Sequence, residues 1–83
     1  MNSIDYSKLR SLTARKLINA LIRDGFYIDR KSGSHHQFRH PVKGRVTLSF
    51  HHPGDTFPPK TLKSIIQDAG WSREDLKRLK ILK

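Results

Sequence analysis

The stretch KSGSHHQFRH, Lys31 to His40, sets three histidines among basic residues, directly behind a glycine and a serine. Imidazole changes charge near neutral pH and can take or give a proton there. RNA carries its own nucleophile, the 2′-hydroxyl. A base held beside a charge-stabilised phosphate can therefore cleave it with no metal. His35 is the candidate base. Lys31, Arg39 or Arg45 would balance the extra charge on a phosphorane-like transition state. Gly33 lets backbone approach a phosphate closely, and Ser34 offers a hydroxyl. His51 is a candidate acid for the leaving 5′-oxygen, and Gln37 adds a polar contact.

These residues need elements to position them. Thr13 caps a helix predicted from Ala14 to about Asp24, with Ala14, Leu17, Ile18 and Leu21 on one stripe that Ile22 widens. Gly25 falls where a left-handed C-terminal cap belongs. Phe26 to Lys31 alternates as a half-buried strand, Phe26 and Ile28 inward. Ser32-Gly33-Ser34 is a turn and His35 to His40 a second strand. After the turn Pro41 to Gly44, a third strand runs from Arg45 to His51, with Val46, Leu48 and Phe50 inward. A helix follows from about Pro59 to Ala69, striped by Leu62, Ile65, Ile66 and Ala69. Gly70 ends it, with Trp71 packing back as in a Schellman cap. Ser72 and Asp75 form a capping box for a short last helix, Leu76 and Leu79 inward. Residues 1–12 show no sustained period and are read as a flexible lead-in to a single domain over 13–83.

The order implies an α+β fold. The three strands form an antiparallel meander, and the two amphipathic helices cover the same face of it. The other face stays open. Alternation places His35, Gln37 and Arg39 there, with Arg45, Thr47, Ser49 and His51 from the third strand and Tyr27, Asp29 and Lys31 from the first. His36 and His40 share the side of Phe38, which suits packing better than catalysis. Tyr27 and Trp71 are read as packing residues before base-stacking ones.

Composition narrows the partners. The 83 residues hold 17 Lys and Arg against 7 Asp and Glu, a net charge of +10. Such a field gathers polyanions: nucleic acid, an acidic protein or an anionic membrane. There is no cysteine, so disulfides, thiol catalysis and cysteine-rich zinc sites are excluded, and a reducing cytoplasm fits. His35 and His36 point to opposite faces and cannot chelate one ion together, so no metal or other cofactor is expected. No apolar run approaches the ~20 residues of a membrane span, and the N-terminus has no signal-like core.

The chain resembles a known family. Gly33-Ser34-His35 with Phe38 and Pro41, followed by Thr61-Leu62, Ile65 and Ala69-Gly70, is similar to the HicA toxins of bacterial toxin–antitoxin systems, over about residues 12–71. The resemblance implies a double-stranded-RNA-binding-domain-like α-β-β-β-α fold. It also implies an mRNA interferase, an endoribonuclease that blocks translation by cleaving message. The family's key histidine follows Gly-Ser and falls on His35. A cognate HicB-like antitoxin is the implied partner, covering this surface. Two features depart from the family. Segment 1–12 is longer than usual, and His51-His52 stands where a single histidine is common, so either can be its equivalent. Two other functions fit the fold and charge, namely a non-catalytic module for duplex or structured RNA and an adaptor for an acidic protein. The adaptor leaves His35 unexplained.

Overall fold

The computed structural model describes residues 4–82 of the chain. Helix α1 spans Ala14–Arg23, strands β1, β2 and β3 span Tyr27–Ser32, His35–His40 and Gly44–Ser49, and helices α2 and α3 span Pro59–Ala69 and Arg73–Arg78. The strands form one antiparallel sheet in the order β1-β2-β3. This is the expected α-β-β-β-α arrangement with a short terminal helix.

Local chemistry sets the element ends where composition places them. The Thr13 hydroxyl accepts the Lys16 backbone N–H at 3.3 Å and caps α1. Two more N–H groups of its first turn go to the loop after β3, Ala14 to the Asp55 carbonyl and Arg15 to the Pro53 carbonyl. Gly70 closes α2 in the left-handed conformation, with the Trp71 N–H returning to the Ile66 carbonyl at 3.1 Å. Ser72 and Asp75 exchange both bonds of the capping box.

The core is one cluster. Leu17 and Leu21 of α1 and Leu62 and Ile66 of α2 meet Phe38, Val46 and Leu48 of the sheet, with Leu76 closing one end. Each such side chain contributes about 1.5–3 kcal/mol by leaving water. Both helices thus cover one sheet face, and the opposite face is open.

Three expectations are corrected. The lead-in packs: within its described part, residues 4–12, Tyr6–Leu9 is a 3₁₀ helix and Leu9 and Leu12 are buried in the core. Residues 1–3 of that segment lie outside the described residues. Ile22, meant to widen the α1 stripe, is half exposed. Strand β1 is exposed throughout, and only Phe26, just before it, is buried. Ile28 pairs with buried Phe38 yet is 60% exposed: β1 is an edge strand and, unlike β3, has no helix packed closely on it. The register also shifts between Ile28 and Arg30, so Asp29 is a bulge residue and the alternation beyond it reverses.

Asp24, at the end of α1, joins parts of the chain far apart in sequence. Its nearly buried carboxylate accepts bonds from Lys43 of the β2–β3 turn, Trp71 Nε1 at 2.8 Å and Arg78 of α3 at 2.9 Å. Burial alone would raise its pKa, but these donors outweigh it and hold the carboxyl at about 2.

Candidate active site

The register arranges the open face in rows. Ser32, His35 and Ser49 are Cα partners across the three strands; Arg30, Gln37 and Thr47 form the next row, and Tyr27, Arg39 and Arg45 the third. His35, Arg39, Arg45, Thr47 and Ser49 are exposed and Gln37 is half-buried. His35, Gln37, Arg39 and Arg45 therefore lie where alternation expects them.

The turn before β2 aims His35. Gly33 has φ of +58° and Ser34 does not share the positive φ, the pattern of a type II′ hairpin turn with glycine at its first central position. A Cβ on Gly33 would meet no atom within 4 Å, so conformation and not crowding demands glycine. Such a turn pairs Ser32 directly with His35 and starts β2 with His35 on the open face. The Ser34 carbonyl accepts the Phe50 N–H at 3.0 Å, which extends the pairing past the end of β3.

His35 Nδ1 lies 2.8 Å from Ser49 Oγ. Alternation along β3 places Ser49 on the open face, but nothing local in the sequence gives it a role. The pairing of His35 with Ser49 is its only signal, and that requires the register of the β2–β3 hairpin. When Nδ1 carries the proton and donates to Oγ, Nε2 is left with its lone pair, facing solvent. That is the form a general base needs.

The other histidines are engaged otherwise. His36 stacks on Phe50 with ring centroids 4.0 Å apart, and its Nδ1 is 3.0 Å from the Ser34 carbonyl. His40 Nδ1 accepts the Val42 and Lys43 N–H groups while Nε2 donates to the Asp24 carbonyl, and its ring tilts against Phe26. Both are structural, as their shared side with Phe38 implies. His51 and His52 follow β3 in an exposed loop, where their backbone N–H groups donate to Asp55 and hold its carboxyl below the usual range. Among the described residues, no hydrogen bond links the His51 side chain to His35.

Two basic positions exchange places. Lys31 is the Cα partner of His36, so the bulge at Asp29 turns it to the helix side of the sheet edge and off the open face. Arg30 takes that place beside Gln37, one row from His35. Arg39 and Arg45 are further off, four residues along the strands, about 13 Å. Tyr27 is half exposed on the open face, whereas Trp71 is buried as a cap residue. Among the described residues, no group of three or more His or carboxylate side chains gathers as metal ligands would, and no helix is long and apolar enough to cross a membrane.

The fold and the open face define a small, strongly basic domain that presents one accessible, hydroxyl-bonded histidine from a sheet backed by helices. A family model described as the HicA toxin of bacterial toxin–antitoxin systems matches residues 14–71. That span runs from the first residue of α1 to the Trp71 cap, and the chain belongs to the HicA toxin family. Membership makes it a toxin of a toxin–antitoxin pair and implies a HicB antitoxin as its partner. No curated protein matches the chain.

Proposed function

We propose that this toxin is a metal-independent endoribonuclease that cleaves messenger RNA in the cytoplasm and so blocks translation. The observation that carries the reading is the hydrogen bond between His35 and Ser49 on an exposed, basic sheet face. Nε2 of His35 removes the proton from a ribose 2′-hydroxyl. O2′ attacks the adjacent phosphorus, the P–O5′ bond breaks, and the departing 5′-oxygen takes a proton from water. The imidazolium then returns its proton to solvent. The products are a 2′,3′-cyclic phosphate and a 5′-hydroxyl end. Arg30, nearest to His35 among the open-face cations by register, balances charge on the phosphate during attack. Ser34 and Gly33 border the same end of the face. The HicB antitoxin would neutralise the toxin by covering this face.

The test is a defined RNA with a single deoxyribose at the scissile position. It should bind and stay intact, while the all-ribose RNA is cut in the presence of EDTA and yields cyclic-phosphate ends. Cleavage of the deoxy substrate would refute the mechanism. Binding of all-ribose RNA without any cleavage would make the domain a non-catalytic RNA-binding module.

A further inference from the structure

The row farthest from His35 is unbalanced as it stands. Arg39 and Arg45 are Cα partners on the exposed face, and like charges directly opposite repel. Asp29 approaches Arg39 only at 3.8 Å and in solvent, and among the described residues Arg45 makes no ion pair. An anion between the two guanidinium groups would relieve the repulsion. Tyr27 completes the row on the other side of Arg39, 49% exposed. Val42, 87% exposed on the β2–β3 turn, borders the same shallow recess. A half-exposed aromatic ring in one row with two arginines matches the two halves of a nucleotide, base and phosphate.

We propose that this row is a second nucleotide subsite. Tyr27 stacks the base of a single-stranded RNA nucleotide other than the one cleaved, and Arg39 and Arg45 hold its phosphate. The inference rests on RNA being the substrate. It is distinct from the cleavage position because the two rows lie about 13 Å apart along the strands, too far for one phosphate to serve both. Single-stranded RNA fits better than duplex, whose bases are already stacked and offer no free face to the ring. Charge complementarity favours RNA over an apolar protein segment, since the row carries two arginines and only one of them has a carboxylate near it, at 3.8 Å and in solvent.

The experiment measures binding of a non-cleavable 2′-O-methyl oligonucleotide in which each base is replaced in turn by an abasic site. With wild type, one position away from the scissile link should bind about 5- to 150-fold more weakly when abasic, the usual worth of one base on an aromatic ring. Tyr27→Ala should weaken the full oligonucleotide by a similar factor and abolish the penalty at that position alone. Tyr27→Phe should retain it. Arg39→Gln should lower the salt dependence of binding by about one counterion. Tight binding with no abasic position coupled to Tyr27 would overturn the subsite while leaving RNA as the substrate. No binding of any oligonucleotide would overturn both. Unchanged RNA affinity in Tyr27→Ala, with weakened binding to the co-expressed antitoxin, would assign the row to the protein partner instead.

Discussion

Strand β2 carries the same side chain at His35, His36 and His40, and its two faces put that side chain to different uses. On the helix side, His36 lies flat on Phe50 and His40 has both ring nitrogens committed to backbone groups. On the open side, His35 has one nitrogen on Ser49 and the other free. A histidine is available for proton transfer when one nitrogen is oriented and the other is left accessible. It becomes a structural part when both are engaged or its ring is stacked. Residue type alone does not separate the two roles; the pleat does.

The sharpest way to break this contrast is His35→Ala. The side chain is exposed, so its loss leaves no cavity, and stability should change by no more than about 1 kcal/mol, the worth of its bond to Ser49. Loss of a general base should lower cleavage about 10²–10⁴-fold. Thermal melts beside cleavage of labelled RNA make the comparison. A folded His35→Ala protein that cuts as well as wild type would remove His35 from the chemistry.

On the structural side, Asp24 ties the turn anchored by His40 to Trp71 and α3. Its folded pKa of about 2 lies below the ordinary 3.8, so the unfolded chain binds the proton more readily. The stabilisation is therefore complete above pH 4 to 5 and disappears as pH falls toward 2. It amounts to something on the order of 2 kcal/mol. Urea titrations across that window should show a steeper acid loss in wild type than in Asp24→Asn. Parallel curves would mean that the carboxylate contributes nothing specific.

How much of this was legible in sequence follows from the range of each signal. Strand alternation is local, so the sides of His35, His36 and His40 could be read directly, as could the caps at Thr13, Gly70 and Ser72. The bulge at Asp29 leaves no mark in the residue pattern, so unbroken alternation gives Lys31 the face that Arg30 occupies. The 3₁₀ turn at Tyr6–Leu9 is too short to show a period, which concealed the burial of Leu9 and Leu12. Ser49 and Asp24 depend on partners 14 to 54 residues away, which no window along the chain reveals.

His40→Ala sharpens the comparison from the packed side. It removes the acceptor for Val42 and Lys43, the donor to the Asp24 carbonyl, and the contact with Phe26. The cost should be about 1–3 kcal/mol of stability. Activity per folded molecule should stay close to wild type at a temperature where the variant is folded. A His40→Ala protein as stable as wild type, or a folded one that fails to cleave, would blur the division between the two faces.

The smallest effect is the most informative about how His35 is prepared. Ser49→Ala leaves the imidazole in place and removes only the hydroxyl that lies 2.8 Å from Nδ1. One neutral hydrogen bond is worth about 1 kcal/mol, so the fraction of His35 that presents its Nε2 lone pair should fall and kcat with it, about three- to tenfold. KM should hold if, as proposed, Ser49 acts only by positioning His35, because the basic side chains are untouched. Ser49→Thr, which keeps the hydroxyl on an exposed strand position suited to a β-branched residue, should restore the rate. A purely structural role for Ser49 would show instead as a lower melting temperature with kcat intact in the folded fraction. A KM effect without a kcat effect would make the hydroxyl a contact for RNA, and His35 would then reach its reactive form without help from β3.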